Sequence, residues 1–294
     1  MKKALVTGST GFVGRHMTEA LTKKGYEVAL CDIADAPPRD ALDLFHEDTT
    51  VYDLVVHAAA TAPHRMAIDN VPLNLVYDAH LDAAMFEWAV HTKQKHVVYL
   101  SSSAAYPVEL QRRGLTDRLR EGDIDHTRPE PGDAAYGTVK LMGEKMAREV
   151  DRSGLPVTVV RPFSGYGEDQ GENWPFGAFI GRALRREDPF TIWGDGSQTR
   201  DWVHIDDVVG AILALVDEQV YGPVNLCTGV GTSMVEVVRE VCRQVGHEPA
   251  FDMKLDAPEG VHYRVGDPAL LNQYYMPKVS LEEGIARALS ARGK

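Results

Sequence analysis

Thr7-Gly8-Ser9-Thr10-Gly11-Phe12-Val13-Gly14 decides the fold. The apolar run Ala4–Thr7 precedes it and reads as a strand. Helical spacing follows over Arg15–Lys24, with Met17, Ala20 and Leu21 on one face and Gly25 as a stop. A glycine turn between a strand and a helix is a phosphate cradle. Gly8 permits the tight turn, Gly11 lets backbone approach a pyrophosphate, and Gly14 lets helix and strand pack closely. The helix N-terminus adds free N–H groups and a positive dipole end. Asp32 closes the next strand, Glu27–Cys31, about 20 residues on, where an acid accepts hydrogen bonds from ribose hydroxyls and repels a 2′-phosphate. Ile33 follows it where an arginine would serve NADP, so the reading is NAD, with Arg39 the nearby cation that argues the other way.

Working outward, strand and helix alternate. Leu54–His57 is a short strand, apolar up to its closing histidine, as a sheet covered on both faces requires. Leu75–Thr92 has helical spacing, His96–Leu100 is a fourth strand, Ala134–Ser153 another helix and Val157–Val160 a fifth strand. This predicts an α/β protein: a Rossmann-type doubly wound parallel sheet with a smaller mixed α/β C-terminal substrate lobe. The nucleotide domain is expected over residues 1–163 plus about 203–225, and the lobe over 164–202 and 226–294.

Composition excludes other classes. A formal charge of −12 over 294 residues argues against a general nucleic-acid binder, which needs a cationic face. No apolar stretch approaches the roughly 18 residues of a membrane span, and Ala4-Leu5-Val6 after Met1-Lys2-Lys3 is far shorter than a signal peptide's core of roughly 7–15 residues. Cys31, Cys227 and Cys242 are scattered, without metal-ligand spacing, and read as buried thiols of a reducing cytoplasm. No metal is expected.

Tyr136-Gly-Thr-Val-Lys140 is the next constellation. On a helix, residues i and i+4 share a face, which sets Lys140 one turn from the Tyr136 ring. A cation there, with the positive ring of bound NAD, favours the phenolate, and Tyr136 then takes a hydroxyl proton while hydride leaves the same carbon. Ser101-Ser102-Ser103 ends the fourth strand, at the edge where ligands bind in such sheets. Ser102 is the expected hydroxyl positioner, with Ser103 the competing assignment.

Together these residues resemble the extended short-chain dehydrogenase/reductase family, in its NAD-dependent epimerase/dehydratase branch. The resemblance runs through nearly the whole chain. It rests on the glycine turn, Asp32, Asp43-Leu44, His57-Ala58-Ala59-Ala60, Ser101–Tyr106, the Tyr136–Lys140 motif, Arg161-Pro162-Phe163, Gly194–Asp201 and Val203–Asp207. It implies that Thr10, Phe12 and Val13 lie along the pyrophosphate, Asp43 and Leu44 at the adenine, and Ala58, Ala59, Ala60 and Pro162 beside the cofactor. Lys140 would also bind the nicotinamide ribose. Arg200 and Arg264 would hold a substrate diphosphate, as a guanidinium fork suits phosphate oxygens, with Ser103 and Ser164 also at the substrate. A homodimer through the helices at Leu75–Thr92 and Ala134–Ser153 is implied as well.

The implied substrate is a nucleotide-activated sugar, oxidised transiently at C4. Eliminating water needs an acid and a base just after the catalytic serine, and decarboxylating relatives tend to carry a glutamate there. Ser103 and Ala104 occupy those places. Epimerisation is therefore the leading expectation. Keto-sugar reduction with NAD(P)H, dehydration, and a non-catalytic NAD-binding protein are the alternatives. Ser164 stands where many relatives carry asparagine. The connection from Tyr106 to Tyr136, with Arg112, Arg113, Arg118, Arg120 and Arg128, is either a basic lid or a solvated loop.

Overall fold

In the central strands nearly every residue is apolar, and consecutive side chains leave opposite faces. Two cores result. Val6, Leu54, Val56, Val98 and Val160 enter one; Leu5, Val55, Val97, Tyr99 and Val159 enter the other. The structure, a computed structural model, describes residues 1–35, 37–61, 73–127, 134–257 and 260–293.

The main sheet is built from β1 (Lys3–Thr7), β2 (Glu27–Cys31), β3 (Leu54–His57), β4 (Val97–Leu100), β5 (Val157–Pro162) and β9 (Gly222–Leu226). Its order is β2-β1-β3-β4-β5-β9, and every pairing is parallel. The first core receives α1 (Phe12–Lys23), through Met17 and Leu21, and α6 (Ile205–Asp217). The second receives α2 (Ala41–Glu47), α3 (Leu73–His91) and α4 (Ala134–Arg152). Helices on both faces leave the strand ends as the place for a ligand.

A third core lies under the remaining elements. β6 (Ser164–Tyr166), β10 (Gly231–Ser233) and β12 (Tyr263–Arg264) all pair with β8 (Thr199–His204), while β7 (Phe190–Trp193) pairs with β11 (Phe251–Lys254). Aromatic and branched side chains of α5 (Pro175–Leu184), α7 (Met234–Gln244) and α8 (Leu281–Arg292) pack beneath them.

Two local differences from the sequence reading have clear causes. Helix α1 begins at Phe12 rather than Arg15, because extended Gly11 serves as its cap. Helix α2 was not expected. Asp40 caps it by accepting from Leu42 N at 2.8 Å, and Ala41, Leu44 and Phe45 form its buried stripe.

Candidate active site

The C-terminal ends of five parallel strands carry the residues singled out above. After β1, Gly8 takes φ +69°, and a Cβ on it would lie 2.7 Å from the Ala58 carbonyl. A Cβ on Gly14 would lie 1.9 Å from Gly8 O. Only hydrogen fits at either place, so the turn hugs β3 and α1 together. No side chain caps α1, and its first-turn N–H groups have no acceptor within the helix. Phe12 and Val13 pack on the first core while their backbone forms that turn. This is the cradle a pyrophosphate needs.

Asp32 follows β2 and accepts from Thr10 N at 3.1 Å and Ala34 N at 3.0 Å. Burial works against its charge, but the hydrogen bonds from Ala34, Thr10 and Ile33 outweigh it and hold the carboxyl below its usual range. Arg39 turns to Asp48, at 3.3 Å. An ionised acid with the nearby cation engaged elsewhere suits a ribose hydroxyl and opposes a 2′-phosphate. Asp35, which sequence reasoning passed over, accepts from Ser9 Oγ at 3.1 Å along the same edge. Ala58, Ala59 and Ala60 follow β3 and are half-buried; Ala58 N and Ala59 N donate to Thr7. Pro162 ends β5, half-buried.

Beyond β4, Ser102 caps a short 3-10 turn by accepting from Ala104 N at 3.1 Å. It is half-buried and pulls the Tyr136 pKa down, whereas Ser103 and Ala104 are buried. On α4, Tyr136, Lys140 and Glu144 share one face. The Lys140 ammonium lies 5.9 Å from the Tyr136 ring centre and 5.1 Å from that of Tyr99. Glu144 accepts from Ser101 Oγ at 2.5 Å and grips buried Arg161 with both oxygens, at 2.8 and 2.7 Å. That pair ties α4 to β5 beneath the site.

The match to known proteins is in keeping with this geometry. Residues 4–227 match the model of the NAD dependent epimerase/dehydratase family. The chain belongs to this family. It is 26% identical to a UDP-N-acetyl-alpha-D-glucosaminuronate decarboxylase of Bacillus cytotoxicus, over 98% of this chain and 97% of that protein. It is 27% identical to a putative UDP-glucose 4-epimerase of Methanocaldococcus jannaschii, over 97% of each. The fold matches the UDP-glucose 4-epimerase of Thermus thermophilus in complex with NAD, with a TM-score of 0.83, 23% identity and 98% of each chain covered. The protein is an enzyme of the NAD-dependent epimerase/dehydratase family, with NAD as its cofactor.

Within this family fold, β8 and β12 set Arg200 beside Arg264 as register partners. Arg200 Nη1 donates to Thr199 O at 2.9 Å, and Arg264 Nε to Gln111 Oε1 at 2.5 Å. Gln111, which sequence reasoning missed, is buried and also donates to Tyr106 O and Pro107 O. It links the serine turn to the arginine pair. Ser164 opens β6, opposite Trp202.

One expectation needs correction. Leu44 is buried in the second core, and its N–H donates to Asp40 O within α2, so neither group is offered to an adenine; Asp43 stays exposed on the helix's first turn. The connection after Tyr106 is packed at Gln111, Leu119 and Ile124 and exposed over 112–118; exposed Arg113 pairs with Asp195 at 2.9 Å, and exposed Arg120 with Asp267 at 3.4 Å. Arg128 lies outside the described residues. Lys140 lowers the pKa of the Tyr136 phenol, as the i,i+4 spacing predicts, but other groups act on that pKa too. Burial pushes it up, Lys140 and Ser102 pull it down, Asp78 and Asp82 push it up, and the net direction is upward.

Proposed function

We propose that this enzyme epimerises a nucleotide sugar at C4 through transient oxidation by bound NAD. The observation that carries this reading is the Ser102–Tyr136–Lys140 group at the end of β4, with no carboxylate on the two residues after Ser102. NAD, when bound, supplies a hydride acceptor at the sugar carbon and returns the hydride later. Tyr136 Oη takes the proton from the C4 hydroxyl and gives it back to the reduced oxygen. Ser102 holds that oxygen by a hydrogen bond, and the Lys140 charge favours the deprotonated phenol. Residues 1–163 with about 203–225 hold NAD, and 164–202 with 226–294 hold the sugar nucleotide. Arg200 and Arg264 take the diphosphate, and the names of the relatives favour UDP as the nucleotide.

The enzyme works as a homodimer. Helices α3 and α4 pack side by side, expose Val76, Tyr77, Val90 and Met142, and form a shallow groove lined by Phe86, Met146 and Val150. Apolar surface of this kind on two adjacent helices suits burial against a second copy. Three free, buried cysteines suit a reducing cytoplasm.

Tyr136→Phe tests the mechanism. NAD stays bound and turnover falls by about 10³ or more, the loss of general base catalysis. A variant that retains near wild-type turnover removes Tyr136 from the reaction.

A further inference from the structure

Two carboxylates sit on the buried face of α3, one turn apart: Asp78 and Asp82, at 2% and 1% exposure. Helix α3 is otherwise apolar on that face, through Leu81, Met85, Phe86 and Ala89. Burying a carboxylate there costs stability unless it is fully partnered. Asp82 is. Its Oδ1 lies 3.1 Å from His57 Nε2, and its Oδ2 accepts from Tyr99 Oη at 2.5 Å. The Lys140 ammonium stands 3.9 Å from that same Oδ2, an ion-pair separation rather than a hydrogen bond.

The clamp extends to the cofactor edge. Thr7 Oγ1 accepts from Ala59 N at 3.3 Å and lies 2.8 Å from His57 Nδ1. With Thr7 donating to Nδ1, His57 keeps its proton on Nε2 and donates it to Asp82. The backbone just after β3 thus connects, through Thr7, His57 and Asp82, to the lysine of the catalytic pair.

We propose that Asp82 is a positioning residue of this site: held by His57 and Tyr99, it is the fixed anion that keeps Lys140 charged and seated between the Tyr99 and Tyr136 rings. The proposal rests on the assignment of Tyr136 and Lys140 above. The groups facing Lys140 are Tyr99 from β4, Asp78 and Asp82 from α3, and Tyr136 from its own helix. Burial opposes the lysine's charge, yet Asp82 first, then Tyr136 and Asp78, reverse this and raise its pKa. The same ion pair acts back on the acid, whose own pKa is lowered against burial by Lys140, His57 and Tyr99. Asp82 also pushes the Tyr136 phenol up, so the residue fixes the lysine at some cost to the base.

The test is Asp82→Asn in the NAD-loaded enzyme, read in two ways. Lysine side-chain 15N NMR follows a buried ammonium directly, with Lys140→Met identifying its signal. In the wild type that signal persists to alkaline pH; in Asp82→Asn it is lost at lower pH. In parallel, kcat falls roughly tenfold or more, KM for the nucleotide sugar changes far less, and an alkaline fall absent from the wild type enters the kcat profile. Tyr99→Phe keeps the ring and removes one clamp, and shifts both readouts in the same direction by less; it serves if Asp82→Asn does not fold. An ammonium signal and an alkaline profile unchanged in the variant that folds overturn the proposal. Turnover surviving in Tyr136→Phe would instead remove the base assignment and leave the NMR result on Asp82 standing.

Discussion

Tyr136 is the residue on which the proposed chemistry turns, and its surroundings pull in opposite directions. Burial, Asp78 and Asp82 disfavour the phenolate, while Lys140 and Ser102 favour it. A base held above its ordinary range gains its active form as pH rises, so kcat should climb with pH through the neutral region. A pH profile with saturating nucleotide sugar checks this; a rate that is flat or falling from pH 6 to 9 would mean that another step or another base controls turnover. The tyrosine and lysine were legible because a four-residue spacing on a helix is visible in sequence. Glu144 extends the same spacing by one more turn and was open to the same logic. Asp78 and Asp82 also left a signal, two acids four apart on an otherwise apolar helix face. What no spacing shows is that His57 and Tyr99, from strands distant in sequence, converge on Asp82.

At the scale of elements, β3 and β2 were readable to the residue because polar residues bound their apolar runs, Asp53 before and His57 at the end of one, Glu27 at the start and Asp32 after the other. Helix α2 is hard to read in the sequence because it is short, and because Asp43-Leu44 resembles a ligand contact although Leu44 belongs to a buried stripe with Ala41 and Phe45. The end of β4 nearest Lys95 carries a second consequence. His96 is buried, its Nε2 lies 2.8 Å from Thr158 Oγ1, and burial pushes its pKa down from 6.5 to about 4. The unfolded chain therefore takes up a proton near pH 6.5 that the folded one refuses until about pH 4. This contribution is intact above the unfolded value and is lost as pH falls through that window. Urea unfolding at pH 7.5 and 5 should show the wild type losing about 2 kcal/mol more than His96→Gln. Equal losses in the two proteins would locate the acid sensitivity elsewhere.

For the molecule as a whole, alternation of strand and helix was enough to foresee a parallel sheet with its ligand edge at the strand C-termini. The later elements were harder to read, since β6, β8, β10 and β12 are short strands brought together from distant parts of the chain. Their assembly is nevertheless what sets Arg200 beside Arg264. Association is testable at this scale: Met142→Glu, on the exposed face of α4, should turn a dimer into a monomer at micromolar concentration by light scattering. A wild type that is already monomeric there contradicts the helical interface.

The proposed reaction is a redox-neutral cycle on retained NAD. An NMR time course of the purified enzyme with UDP-, GDP-, TDP- and CDP-sugars, and no added cofactor, tests it most directly. The account predicts that one sugar is converted into its C4 epimer, with UDP the favoured nucleotide. No conversion until NADH or NADPH is supplied with a keto-sugar, or release of water or carbon dioxide in place of an epimer, would contradict it.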